Sequence, residues 1–159
     1  MKLLVDTNII IDYINRREPY FEHARLLMLC GKIGEFELLI SSSQVTDVIY
    51  IASNGGHRQE LPSVMRQLRE LRTFIKVCPV GSREIDGMLA SDWSDPEDRL
   101  MYEVAASCNA DAIITRDTNG FQSNAIRACT CKDFFEWVYE EYGLDYAEVA
   151  LGGTPTSSE

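Results

Sequence analysis

Residues 3–14 read LLVDTNIIIDYI, and they carry the strongest structural signal in the sequence. Lys2 to Val5 forms a short apolar run that predicts a buried β-strand. The apolar residues that follow, Ile9, Ile10, Tyr13 and Ile14, recur with the spacing of a helix. A strand therefore passes directly into a helix through Asp6, Thr7 and Asn8.

The same alternation continues along the chain. Further strands are predicted at residues 36–40, 76–80 and 112–115, with a short fifth at 126–128. Helical patterns separate them, and one of these helices carries the apolar series Val64, Leu68, Leu71 and Ile75. Short buried strands that alternate with helices predict a three-layer α/β/α fold, in which helices flank a mostly parallel central sheet.

Length and composition predict one globular domain. The chain has 159 residues, of which 45% are hydrophobic, enough for one core but too few for two ordinary domains. We expect the domain to span residues 1–142 and a C-terminal extension to span 143–159, with at least 152–159 disordered because they are rich in Gly, Ser, Thr and Pro. Five cysteines without a CxxC pair suggest neither a disulfide framework nor a zinc knuckle.

The chain starts as a cytoplasmic protein would. Met1 and Lys2 lead directly into the first strand, which is unlike a signal sequence, and no run of eighteen apolar residues exists. We therefore expect a soluble, cytoplasmic protein with no membrane partner.

Four aspartates occupy positions that differ from those of ordinary surface acids. Asp6 and Asp117 each follow a predicted strand, Asp98 lies one turn into a helix, and Asp47 lies one turn into another. Active sites of parallel sheets form at the carboxyl ends of the strands. The two strand-end acids therefore share one edge, and the two helices offer further acids near it.

Each aspartate also has a simpler interpretation. Asp6 alone could cap the next helix, and Asp117 could be a turn residue before Asn119 and Gly120. Asp98 could favour the positive end of its helix dipole, a role that Asp95 or Glu97 would fill better. Asp47 alone could be a solvated helix residue. It is their conjunction that indicates a site.

Converging carboxylates require compensation by protons or metal ions. Two like charges about 4 Å apart repel by roughly 4 kcal/mol at an effective dielectric constant of 20. Oxygen ligands without His or Cys favour Mg2+ or Mn2+. Such ions activate water and neutralise phosphate charge, which phosphodiester hydrolysis requires, and the sequence shows no evident covalent nucleophile.

The net charge of −10 argues against a protein that coats nucleic acid with a basic surface. Any contact with phosphate must be local. Arg16, Arg17, Arg99 and Arg116 lie close in sequence to the predicted site and are candidate phosphate contacts. A second group, Arg66, Arg69 and Arg72, more often marks a solvated helix face.

Several motifs of this sequence resemble the PIN-domain ribonucleases, in particular the prokaryotic branch that includes toxins of toxin-antitoxin pairs. They are LLVDTNIIIDYI, SSSQVTDVIYIA, DPEDRLMYEVAASCNADAIITRD, Gly120-Phe121 and KDFFEW, and together they span roughly residues 1–140. DTN alone is weakly specific, whereas the ordered set is strong.

The resemblance implies residue roles and partners. Asp6, Asp98 and Asp117 correspond to metal-binding acids of the family, and Asp47 falls where many relatives have Glu. By the same resemblance, Thr7, Asn8 and Thr115 support the metal site, and Asn119 adds a variable contact. The implied activity is Mg2+- or Mn2+-dependent cleavage of single-stranded RNA, often by a homodimer, with toxins held inactive by a cognate antitoxin.

Two other functions stay open at this stage. A PIN-fold adaptor that binds RNA or protein without cleaving would have lost its acids, and all four are present. A phosphatase or phosphoacceptor domain would use Asp6 as a nucleophile. Haloacid-dehalogenase-like phosphatases have a second Asp two residues later, where this chain has Asn8.

Overall fold

The computed structural model describes residues 1–121 and 125–146, and the predicted disordered tail at 152–159 lies outside them. The strands are β1 (Lys2–Val5), β2 (Glu37–Ser41), β3 (Ile75–Cys78), β4 (Ala112–Ile114) and β5 (Arg127–Cys129). The helices are α1 (Thr7–Ile14), α2 (Phe21–Lys32), α3 (Gln44–Ala52), α4 (Leu61–Leu71), α5 (Ser82–Leu89), α6 (Pro96–Ser107) and α7 (Cys131–Tyr142). A 3-10 turn spans Thr118–Gly120.

The five strands form one sheet in the order β3-β2-β1-β4-β5, and all four pairings are parallel. The central strand β1 pairs with β2 on one side and with β4 on the other. The direction in which the chain adds strands reverses between β1 and β4, so a crevice opens beyond the carboxyl ends of these two strands. The predicted parallel α/β architecture is confirmed.

The sheet divides the core into two layers. Leu3 and Val5 face one layer, which α1, α2, α3, α4 and α7 help to fill. Leu4, between them, faces the other layer together with Met101 and Val104 of α6. The continuous apolar run of β1 follows from this arrangement, because helices cover both faces of the strand.

Two local sequence predictions were wrong. Ser94 and Glu97 stand three residues apart, a spacing that predicts a capping box at the start of α6. Asp95 is the cap instead, and its Oδ1 accepts hydrogen bonds from the backbone N–H groups of Glu97 (2.8 Å) and Asp98 (3.3 Å). A carboxylate accepts both bonds and favours the positive helix end. Ile75, assigned to the α4 stripe, instead begins β3.

The chain beyond α7 folds back onto the domain as far as it is described. The Tyr146 ring packs against Phe36 and Phe135, and its hydroxyl donates a hydrogen bond to Glu35 Oε1 at 2.8 Å. The boundary at residue 142 stays a prediction. In the described part of the chain, no helix is both long enough and apolar enough to span a bilayer.

Candidate active-site cleft

A cleft with about 700 Å³ of empty space lies beyond the carboxyl ends of β1 and β4. Five of its lining residues are acids: Asp6, Asp95, Glu97, Asp98 and Asp117. The N-termini of α1 and α6 border the same cleft, so two positive helix ends accompany this negative charge. The structure thus brings together three of the four predicted aspartates, Asp6, Asp98 and Asp117.

Hydrogen bonds hold the Asp6 carboxylate in place. Its Oδ2 accepts from Thr115 Oγ1 at 2.7 Å and from the side-chain amide of Asn8. Asn8 also donates to Thr115 Oγ1 (3.2 Å) and accepts from the Arg116 backbone N–H (3.2 Å). The turn after β1 and the end of β4 are therefore joined by one network around Asp6. Asp6 occupies the N-cap position of α1 as well.

A buried glutamine, which the sequence did not single out, supports the same turn. Gln44 donates to Thr7 Oγ1 (3.1 Å) and to the Val5 carbonyl (3.3 Å), and its Oε1 accepts from the Ser41 N–H (2.9 Å). It links the ends of β1 and β2 to the start of α1. Its polarity amid the apolar α3 pattern was the available signal, because a buried amide needs partners.

Asp98 reaches the cleft through space left by Gly120. An added methyl group at Gly120 would lie 2.8 Å from Asp98 Cγ and would overlap its Oδ2. Glycine at this position therefore lets the turn after β4 approach the carboxylate of α6. The Asp98 side chain therefore lies beside this turn, at the carboxyl edge of the sheet.

The charges of the cleft act on one another. Burial raises the pKa of Asp98 to about 6, with further contributions from Asp95, Asp6, Asp117 and Glu97. Burial also raises the pKa of Asp6, against the opposing effect of the Thr115 hydrogen bond. The cleft therefore favours a proton or another cation near these acids.

Asp117 shapes the turn after β4 and also lines the cleft, while its predicted role as a metal ligand stays a prediction. Its Oδ1 accepts from the Asn119 N–H at 3.2 Å, which shapes the turn, and the residue also lines the cleft. The Asn119 side chain is exposed and does not line the cleft. Asp117 N–H donates to Thr115 Oγ1 at 3.1 Å, so the supporting threonine orders both strand-end acids.

The fourth predicted acid, Asp47, is exposed on α3 and is not a lining residue, whereas Ile51 one turn later is. Glu97, passed over as a candidate ligand, lines the cleft instead. Burial raises the pKa of Glu97, and the charges of Asp47 and Asp6 add to this effect. Glu97 is thus close enough to both acids for their charges to act on it, and its adjacency to Asp98 at the start of α6 was the sequence signal.

The predicted arginines have different surroundings. Arg116 lines the cleft, as does Arg17. Arg99 is absent from the lining; it pairs with Glu103, and its guanidinium lies 5.1 Å from the Trp93 ring centroid. Arg16 lies 5.6 Å from the Phe21 ring, also away from the cleft. Of the four arginines, the structure therefore places only Arg17 and Arg116 in the lining of the cleft.

Comparison with known proteins identifies the family. The model of the PIN domain matches residues 2–119. The chain is 27% identical over 143 residues to Ribonuclease VapC1 from Aquifex aeolicus (strain VF5), covering 85% of this chain and 94% of that protein. The chain belongs to the PIN domain family, as its sequence motifs predicted.

Solved structures share its fold. The crystal structure of VapBC2 from Rickettsia felis bound to a DNA fragment from their promoter matches with a TM-score of 0.60 and 15% identity, covering 82% of this chain and 98% of that one. A toxin-antitoxin complex from Klebsiella pneumoniae matches with a TM-score of 0.61 and 18% identity, covering 81% and 97%. At such identities these matches show the fold alone.

Proposed function

We propose that this protein is a metal-dependent endoribonuclease that cuts single-stranded RNA. The proposal is carried by one observation: Asp6, Asp98 and Asp117, far apart in sequence, line the same cleft at the carboxyl edge of the sheet. Family membership and the similarity to a protein named as a ribonuclease support it. No specific observation favours a non-cleaving adaptor or an Asp6 nucleophile.

The cleft residues fit a hard divalent cation such as Mg2+ or Mn2+. The candidate donors are carboxylate oxygens, with no His or Cys among the lining residues. The absence of a side chain at Gly120 leaves room for the Asp98 carboxylate itself. Asp98 together with Asp6 or Asp117 would hold the ion directly, with the remaining aspartate and Glu97 close by. The ion would lower the pKa of an attacking water and offset phosphate charge.

The acidic side chains of the cleft are loosely spaced. Within residues 1–121 and 125–146, no three His, Cys, Asp or Glu side chains are grouped closely enough to hold one ion. Mg2+ commonly takes only one or two protein carboxylates and completes its shell with water and substrate phosphate. A loosely spaced acidic cleft is therefore compatible with this cation.

The chain's own residues would orient the reaction. Thr115 and Asn8 fix the Asp6 carboxylate, while Arg17 and Arg116 offer cations to the RNA phosphates at the edge of the cleft. Asp98, with its pKa raised to about 6, is the carboxylate whose charge most needs a nearby cation. Positioning and charge compensation are the contributions that phosphoryl chemistry most requires from a protein.

We further propose that the protein is the toxin of a toxin-antitoxin pair. Two structures that share this fold are a VapBC complex and a toxin-antitoxin complex. An adjacent gene for a small DNA-binding protein that copurifies with this chain and suppresses RNA cleavage would support the assignment. Cleavage that is unaffected by every adjacent gene product would contradict it. The homodimer implied by the family resemblance stays a prediction.

The nuclease proposal is tested by RNA cleavage with purified protein. We expect cleavage with Mn2+, none after EDTA, and losses of at least about 100-fold in Asp6→Asn and Asp117→Asn. Asp111→Asn is the matched control, because Asp111 is exposed before β4 and binds the Lys2 N–H at 2.7 Å, at the opposite sheet edge. Cleavage that persists in both site variants would contradict the proposal.

A further inference from the structure

A second groove, with about 770 Å³ of empty space, lies beside the acidic cleft. Its polar lining comes from Tyr20, His23, Arg116, Thr130 and Lys132, and none of the described lining residues is an acid. The groove therefore differs in charge from the cleft, whose lining includes five carboxylates.

Arg116 lines both cavities. Its Nε lies 3.4 Å from Oδ2 of Asp12, and its guanidinium lies 4.7 Å from the Tyr20 ring centroid. Asp12 is fully buried, and neither of its carboxylate oxygens has a hydrogen-bond partner within the described residues. Arg116 supplies the ion-pair charge to Asp12, so this pairing holds the arginine at the boundary between the two cavities.

The lining changes from acidic in the cleft to one without described acids in the groove, and Arg116 lies between the two. Such a change suits an extended polyanion. A strand of RNA carries a negative phosphate at every nucleotide, and acids without a cation repel the phosphates that flank a bound one. In the groove, a flanking phosphate would meet Arg116, His23 and Lys132 and no described acid, so it would be stabilised there. The acids near this groove are already engaged, Glu136 with Lys132 at 3.4 Å and Asp133 with Thr130 at 2.8 Å.

We infer that this groove is a second phosphate-binding subsite for single-stranded RNA, which receives the nucleotide next to the one held in the acidic cleft. The inference rests on the proposed function. Arg116 is then the shared contact between the two subsites, and Asp12 is a positioning residue that acts through it.

RNA binding without cleavage tests the subsite. Fluorescence anisotropy of a labelled, mixed-sequence single-stranded RNA oligonucleotide in EDTA would be measured for wild type, His23→Gln and Lys132→Gln at several salt concentrations. We expect the Kd to rise roughly 3- to 10-fold in both variants. The slope of log K against log salt should become shallower by about 0.7 in Lys132→Gln, which removes a positive charge.

The matched control is Lys76→Gln. Lys76 and Lys132 are equally exposed, at 68% and 66% of the side chain, and each pairs with one glutamate. Lys76 lies on β3, whereas Lys132 follows β5 at the opposite edge of the sheet. Wild-type affinity and salt slope in both groove variants, or an equal loss in Lys76→Gln, would overturn the inference. Failure of the nuclease proposal is seen separately, as absent cleavage with Mn2+.

Discussion

Gly120 lies directly against the carboxylate of Asp98, which occupies the space that any side chain at position 120 would need. Gly120→Ala should therefore displace the Asp98 side chain and lower kcat by roughly 10- to 100-fold, because small misplacements of a catalytic group have effects of this size. Steady-state cleavage kinetics and thermal unfolding would be measured together.

The control for Gly120→Ala is Gly34→Ala. Gly34 has a φ of +84° with nothing near its missing side chain, so alanine there should cost about 1 kcal/mol of stability and leave kcat unchanged. Equal kcat in Gly120→Ala and wild type would show that Asp98 is not held in its working position by this contact.

Asp98 should make the metal-free protein less stable at neutral pH. Its pKa is about 6 in the folded chain against an ordinary value of 3.8, so the folded state binds a proton more tightly than the unfolded state. The free energy of unfolding should therefore fall as pH rises through this interval. In EDTA at pH 7, Asp98→Asn should unfold about 2 to 4 °C higher, a gain of about 1 kcal/mol after allowance for solvent screening.

Added Mn2+ should reverse this order, raising the Tm of wild type and changing that of Asp98→Asn little. Ligand binding to the folded state alone stabilises it. An equal Mn2+ shift in both proteins would place the ion away from Asp98.

Glu97 and Asp47 should differ in their contributions. Both residues are exposed, but Glu97 lines the cleft and Asp47 does not. We expect Glu97→Gln to reduce kcat/KM by about 10-fold or more and Asp47→Asn to reduce it by less than about 3-fold. Titration of cleavage rate against Mn2+ concentration would show whether the loss reflects metal affinity. A larger effect of Asp47→Asn than of Glu97→Gln would support Asp47, the acid predicted from the sequence, as the residue that acts at this site.

Asp12 should act on RNA only through Arg116. Asp12→Asn and Arg116→Gln should each raise KM more than they lower kcat, and the double variant should lose less than the sum, with a coupling of about 0.5 to 3 kcal/mol in a double-mutant cycle. Arg99→Gln serves as the comparison, because Arg99 pairs with Glu103 outside the cleft. Strict additivity between Asp12 and Arg116 would refute the positioning role.

Much of the fold could be predicted because the physical signal is local. The apolar run of β1 and the helical spacing of α1 lie side by side, and the two flanking layers explain why Leu3, Leu4 and Val5 are all apolar. Boundaries were less certain, since Ile75 continues the helical spacing of α4 yet pairs with Leu38 in the sheet. Only tertiary pairing decides between these alternatives.

The site was predictable to the extent that strand ends determine it. Asp6 and Asp117 line the same cleft because β1 and β4 are parallel neighbours. The position of each acid directly after a strand was the signal in the sequence. Arg99 points away although it follows Asp98, because successive helix residues face different directions. The roles of Gly120 and Gln44 depend on contacts between distant segments, and their residue types alone give little indication of these.

The proposed mechanism depends on a divalent cation that binds in the cleft at Asp98 and at least one of Asp6 and Asp117. The anomalous scattering of Mn2+ in crystals soaked with this ion is the sharpest test of that binding. We predict an anomalous peak in the cleft within ligand distance of Asp98 and at least one of the two strand-end aspartates, absent from crystals of Asp98→Asn. A cleft without a peak in the wild-type protein, or a peak that persists unchanged in Asp98→Asn, would contradict the claim.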